Sequence, residues 1–245
     1  ASRPGRAGPR ASAPSARSAV LAAVVFAIYA LTASPSLGWL DSPELIAASS
    51  GLGVMHPPGH PLPTLLGRAA AYIPLGDIVF RVNVASGACM ALAVVALFLC
   101  AREFLRRAFG GVSTVTDALK NGAALGAALG FGFSWAAWFQ AVRAEVYGLQ
   151  AALLLWALWG LIVFATQSER RALYVAAFAL ALALANHHLT ALLFGVPATI
   201  FVLARTRRAA TITRSAGLLV LGLTAFAYVP VRAVHHPVPN WGDAH

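Results

Sequence analysis

From Leu153 to Ala165 the chain reads LLLWALWGLIVFA, with no polar side chain on any face. A helix on a soluble core carries one apolar stripe, and a strand of a transmembrane barrel alternates polar with apolar residues. This run does neither, so it needs apolar surroundings on every side. Comparable runs recur, and they predict membrane spans near 18–34, 79–101, 122–139, 149–166, 172–186, 189–204 and 215–231, most of them close to the about 20 residues that cross about 30 Å of hydrocarbon. With 59% hydrophobic and only 11% charged residues, lipid is the main solvent of this chain. The fold class is all-α, a polytopic transmembrane helix bundle of seven spans. No solenoid repeat, glycine-rich phosphate loop or zinc-finger spacing interrupts it.

The formal charge of +10 would point to nucleic acid in a soluble protein. Sorted between spans, the charges say something else. With the N-terminus in the cytoplasm, fourteen of the 18 Lys and Arg residues fall inside, and only Arg68, Arg81, Arg143 and Arg232 fall outside. That is the positive-inside pattern, so the excess charge is an orientation signal and nucleic acid is not a partner. Residues 1–17, rich in Arg, Pro, Ser and Gly, read as a disordered basic cytoplasmic tail, and 18–245 as the transmembrane domain. The chain starts at Ala1 and stops just after Asn240, Trp241, Gly242 and Asp243, which reads as a domain cut short at its C-terminal side.

The same topology puts all seven histidines outside, His56, His60, His187, His188, His235, His236 and His245, together with Asp41, Glu44, Asp77, Glu145 and Asp243. Ionisable groups beside apolar spans are costly, and a one-sided set of both signs marks a site. The first outer loop, 35–78, is long enough to fold on its own. Ser42 can cap a short helix with Pro43 first and Glu44 in its opening turn, ended by Gly51 or Gly53. After the turn His56 to Pro61, a second helix places Leu62, Leu65, Leu66, Ala69 and Tyr72 on one face. Two short helices at the membrane surface are the expectation.

Within this set, Asp41 follows Trp39 and Leu40 at the water boundary, where an apolar wall can raise a carboxylate's pKa and make it a general base. Spacing alone favours the plainer reading of Asp41 as a helix-capping acid and Glu44 as a first-turn acid, drawn there by the macrodipole. His56 and His60 are four apart, but three prolines and a glycine forbid the helix that would align them as a metal pair, so a rigid turn is expected. Asn186, His187 and His188 end an apolar stretch of about 14 residues, about 21 Å as helix, which can leave them inside a polar cavity. Arg143, Glu145 and Tyr147 open another helix, and Arg232 stands past the last span. Arginine suits a phosphate, though an ion pair of Arg143 with Glu145 or Asp41 reads as well. Arg68 and Arg81 are expected to snorkel to headgroups.

Asp41, Ser42, Pro43, Glu44 and Leu45, followed by Gly53, Val54, Met55, His56, Pro57, Pro58, Gly59, His60 and Pro61, resemble the first outer loop of the protein O-mannosyltransferase-like membrane proteins. Arg81, Val82, Asn83 and Ser86, then Ala144 to Tyr147, Asn186 with His187, and Arg232 with Asn240 to Asp243 extend the resemblance in the same order. His60 stands where an aromatic residue is usual, and Pro43 interrupts the acidic motif. The resemblance implies a GT-C glycosyltransferase that passes a mannose-like sugar from a polyprenyl phosphate carrier to a protein or glycan hydroxyl outside the inner membrane, with inversion. It implies Asp41 as general base, with Glu44 orienting Asp41 or the acceptor. The leaving phosphate then calls for donors, and Arg143, Arg232 and His187 are the candidates. No cofactor is implied, the lipid-linked sugar is a substrate, and a divalent metal is left open. Two other readings fit the ionisable cluster: a proton-coupled transporter and a non-catalytic envelope assembly protein.

Overall fold

The computed structural model describes residues 15–242. The expected tail up to residue 14, with Asp243 and His245, lies outside the described residues. Every described element is helical or a turn: α1 (Ala16–Thr32), α2 (Ser42–Gly51), α3 (Pro61–Ala71), α4 (Ile78–Ala108), α5 (Asp117–Gly132), α6 (Trp135–Ala141), α7 (Tyr147–Gln167), α8 (Arg170–Asn186), α9 (His188–Arg205), α10 (Ala209–Leu223) and, after a 3-10 turn, α11 (Tyr228–Ala233). α2 and α3 are the two short helices expected in the first loop.

Helices cover all seven of the expected spans, but they are unequal. By length and composition four can each cross a bilayer: α4, α7, α9 and the stretch Ala209–Ala233. The expected span at 122–139 is broken by 63° between α5 and α6 and would make a fifth. The cause is local: Ser134 starts a new helix by accepting the Ala137 N–H on its hydroxyl. α1 and α8 have 17 residues each, the short limit for a crossing. The bundle of apolar helices makes this a membrane protein.

α4 is the axis. Some 67% of its most apolar window is buried, against 6% for α9, so α4 is enclosed by protein and α9 lies on the outside of the described bundle. α1, α5 and α7 pack around α4, and α8 joins α7 to α10. Tyr29 of α1 is fully buried in this core and donates its hydroxyl to the Gly132 carbonyl at 2.6 Å. Apolar contact alone does not drive helix association in lipid, and close approach through small residues does. Gly148 shows it: a Cβ there would sit 2.9 Å from the Ser86 carbonyl oxygen of α4.

The passes run between two chemically different ends. At one, Thr166 bonds Glu103 at 3.2 Å, Arg107 reaches the Thr166 carbonyl, and Arg205 reaches the Ala165 carbonyl at 3.1 Å. At the other lie Asp41, Glu44, Glu145 and the described histidines. The C-terminal stretch closes over this second end, where the Val54 N–H bonds the Pro239 carbonyl at 2.8 Å and the Trp241 N–H bonds Val54 at 3.0 Å.

The surface loop follows the expectation in its two helices and departs from it at an arginine. α2 ends at Gly51, one of the two glycines expected to end it, and the next residue, Leu52, caps it in a left-handed conformation at φ 52° with its N–H closed onto the Ala48 carbonyl. α3 turns Leu65, Leu66 and Tyr72 outward and buries Pro63, Thr64, Gly67 and Ala70. Gly67 is required there, since a Cβ would collide with the Ser49 hydroxyl of α2. The leucine face is thus left exposed, the arrangement an interfacial helix needs. Finally, Arg81 does not snorkel: it donates to the Leu75, Ala71 and Gly76 carbonyls and folds that turn, while Arg68 reaches the Ser50 carbonyl at 2.6 Å.

Candidate active site

Asp41 occupies the position before α2, yet its side chain makes no capping bond. The expected cap, Ser42, is also otherwise engaged: its hydroxyl donates to the Ala144 carbonyl at 2.7 Å. The helix therefore leaves the Asp41 carboxylate free for other chemistry. Glu44, in the first turn, reaches across to the His56 turn, accepting the His56 backbone N–H at 2.8 Å and contacting Nδ1 at 2.6 Å. Asp41, Glu44 and His56 each bring one potential ligand atom within 4.8 Å of the others, and all three are partly exposed. A divalent ion could be received there. It would have to break the 2.6 Å contact, since ligands about 2.1 Å from one ion stand about 3 Å apart.

Behind Asp41 the segment before α7 is fastened to α4. Asn83 accepts the Ala144 N–H at 2.7 Å and donates to the Ser34 carbonyl at 2.8 Å. The Ser86 hydroxyl accepts the Glu145 N–H at 3.1 Å. These are the Asn and Ser of the motif read in the sequence, and their role is to hold backbone. Arg143 is 3% exposed and pairs with Glu145 at 3.0 Å. It also donates to the Trp39 carbonyl at 2.7 Å and the Phe139 carbonyl at 3.1 Å, and lies over the Phe139 ring. The guanidinium so clamps the turn that carries Asp41, and little of it remains for a phosphate.

The Glu145 carboxylate is buried, and neither oxygen takes a hydrogen bond of good geometry despite the close Arg143. Burial pushes its pKa up to about 7, with Arg143 pulling it down and Asp41 pushing it further up. A second carboxylate thus feels Asp41 from the protein side.

A row of rings runs from the partly exposed His56 through the buried His60 to His187 and out to the exposed His188. The His56 ring lies 4.9 Å from His60, His60 lies 6.4 Å from His187, and His187 lies 5.7 Å from Tyr147 and 6.4 Å from His188. α8 positions this row: the Asn186 carbonyl meets His60 Nδ1 at 2.7 Å, and the Asn186 amide donates to Val146 and Gln150. Gln150 in turn donates to the Thr190 hydroxyl at 2.9 Å, beside His187 Nδ1 at 3.1 Å. Burial holds the His60 pKa down to about 4, so its ring is neutral. Sequence reading missed Gln150 and Thr190. A lone Gln three residues after Tyr147 in an otherwise apolar helix was the available signal.

Arg232 stands apart from this row. It donates to the Leu52 carbonyl at 2.9 Å and the Gly51 carbonyl at 3.3 Å, fixing α11 to the end of α2. The structure thus brings together Asp41, Glu44, His56, His60, Arg143, Glu145, Tyr147, Asn186, His187 and His188, and gives Arg232 a joining role.

The sequence that builds this geometry has known relatives. Residues 41–212 match the family model described as the protein O-mannosyl-transferase TMEM260 N-terminal domain. The mouse protein O-mannosyl-transferase TMEM260 is 33% identical over 252 aligned residues, which take in 97% of this chain and 33% of the mouse protein. A protein O-mannosyl-transferase tmem260 of Dictyostelium discoideum is 26% identical over 186 residues, 69% of this chain and 21% of that protein. The chain therefore spans about a third or less of the length of these relatives. No solved structure matches it. The matched segment begins on Asp41 and contains the whole ring row, and on that ground the chain belongs to the family of the protein O-mannosyl-transferase TMEM260 N-terminal domain.

Proposed function

We propose that this chain carries the catalytic end of a GT-C-type glycosyltransferase, which moves a mannose-like sugar from a polyprenyl phosphate carrier to a protein hydroxyl on the extracytoplasmic side of the membrane. The observation that carries the reading is Asp41, uncommitted to helix capping and set within 4.8 Å of Glu44 and His56. In this reading Asp41 takes the acceptor hydroxyl's proton as that oxygen attacks the anomeric carbon. The sugar–phosphate bond breaks on the opposite face, the configuration inverts, and the phosphate leaves with the carrier.

Glu44 and His56 shape the acceptor side of the pocket. With Arg143 and Arg232 bound to protein carbonyls, the phosphate falls to His187, His188 and the amino end of α9, whose first N–H groups suit an anion. The placing of arginines at the opposite end supports an extracytoplasmic site.

The experiment is to give the full-length protein, in lipid, a polyprenyl-phosphate mannose and a Ser/Thr-containing peptide. The stereochemistry of the product is then determined. An anomeric configuration opposite to the donor's is expected. Retention would remove Asp41 from the role of base, because it requires a covalent glycosyl-enzyme step.

A further inference from the structure

We propose that the cleft between α8, α9 and α10 binds one anionic phospholipid at the arginine-rich end of the bundle, with an acyl chain in the cleft and the phosphate at the amino end of α10. The inference does not rest on the transferase reading and concerns the end of the bundle away from Asp41.

α9 lies on the outside of the bundle, and between it and its neighbours is a cavity of about 180 Å³. Leu161 of α7, Leu173 of α8, Val202 of α9 and Ile212 of α10 are among its walls, and of all its lining residues only Thr199 and Ser215 are polar. An apolar cavity of this kind stays dry and takes hydrocarbon. Ser215 breaks the pattern. It is 9% exposed, and its hydroxyl has no hydrogen-bond partner among the described residues; the same holds for Thr211, 1% exposed, one turn nearer the start of α10. A buried hydroxyl without an acceptor is costly. Hydrocarbon alone cannot supply one, whereas the ester carbonyl of an acyl chain can.

The charge at this end matches a phosphate. Val202 stands in the last turn of α9 and Ile212 in the first turn of α10, so the cavity reaches the short connection that joins the two helices. Arg205 is held there by the Ala165 carbonyl at 3.1 Å and lies over the Phe201 ring. Arg207, Arg208 and Arg214 are exposed, and among the described residues none of them pairs with a carboxylate. α10 begins without a side-chain cap, which leaves its first N–H groups to an anion. Basic pockets between helices on the positive side of a membrane protein suit anionic headgroups.

The spacing selects a phospholipid. Ser215 lies about 9 Å along α10 from Ala209, so a phosphate at the helix start sets the ester groups of the same lipid at the depth of Thr211 and Ser215. A polyprenyl phosphate has no acceptor beyond its phosphate. A second copy of this chain in the same orientation would bring its own arginines against these.

The test uses the full-length protein stripped of lipid in a nonionic detergent. Phosphatidylglycerol and phosphatidylcholine with the same acyl chains are titrated in turn, with binding read by native mass spectrometry and by the thermal midpoint. One phosphatidylglycerol should bind about 10-fold more tightly than phosphatidylcholine, and salt should shrink the difference. Arg207→Gln with Arg208→Gln should remove most of that preference. Ser215→Ala should weaken both phospholipids about 3- to 10-fold, and should leave the lipid-free midpoint unchanged or higher, because the hydroxyl it removes has no partner there.

Equal binding of the two phospholipids, or phosphatidylglycerol affinity untouched by Ser215→Ala, would overturn the proposal. So would a full-length protein that retains no phosphatidylglycerol. A lower lipid-free midpoint for Ser215→Ala would show the hydroxyl satisfied within the protein and overturn it as well. Displacement of phosphatidylglycerol by an equal amount of polyprenyl phosphate would give the cleft to the sugar carrier instead.

Discussion

His56 Nδ1 stands 2.6 Å from one oxygen of Glu44, while the His56 backbone N–H reaches the other oxygen at 2.8 Å. One carboxylate therefore fixes both the ring and the backbone of a residue 12 positions later, and with them the corner around Asp41. Glu44→Ala should free the turn, lowering stability by about 1–2 kcal/mol because the pair is partly exposed, and should reduce transfer more than Glu44→Gln, which can still accept the backbone N–H. Chemical denaturation and initial rates of both variants check the order.

Asn83 holds the site from below, taking the Ala144 N–H and giving to the Ser34 carbonyl while fully buried. Asn83→Ala leaves both backbone groups without their partner. A loss of about 2–3 kcal/mol is expected, read as a lower thermal midpoint in detergent, with weaker transfer because the Arg143–Glu145 segment loosens.

Glu145 sets a pH dependence of known sign. Its pKa is raised from 4.5 to about 7 in the folded chain, so between those values the folded state holds a proton that the unfolded state has lost. Stability from this group is full below about 4.5 and falls as pH rises through about 7. Glu145→Gln, neutral at every pH, should flatten that decline in the thermal midpoint while leaving Arg143 its bonds to Trp39 and Phe139. The groups that face Glu145 are Arg143, Asp41 and His56. An unchanged slope in the variant would assign the decline to another residue.

Gly67 tests the packing of the surface helices. A methyl group there meets the Ser49 hydroxyl of α2 and comes 3.2 Å from Val82 of α4. Gly67→Ala should cost about 1–3 kcal/mol, and Gly67→Ala with Ser49→Gly should recover most of it. Thermal midpoints of the single and double variants decide.

Much of this was legible in the sequence because it depends on period and sign. Apolar runs marked the passes, arginines marked one end, and Pro43 with Glu44 marked α2. The motif residues Asp41, His56, Asn83, Glu145 and Asn186 all fall at one end of the bundle. Other features were hidden because they depend on three-dimensional partners. Arg143 and Arg232 suited a phosphate in the sequence, with an ion pair to Glu145 or Asp41 as the other reading of Arg143; the pair with Glu145 is present, and the carbonyls of Trp39, Leu52 and Gly51 that both arginines also hold could not be read from spacing. Ser42 looked like a cap until Ala144 arrived opposite it. The break between α5 and α6 escaped hydropathy because Ser134 is a single polar residue whose hydroxyl begins a helix.

The central claim concerns Asp41, and Asp41→Asn tests it most directly because the amide keeps the shape and removes the proton acceptor. Full-length wild-type and variant protein are given polyprenyl-phosphate mannose and acceptor peptide in lipid, and carrier release is followed alongside donor binding. The predicted result is a fall in kcat of about 10²- to 10⁴-fold with donor affinity unchanged. Transfer by Asp41→Asn at the wild-type rate would contradict it.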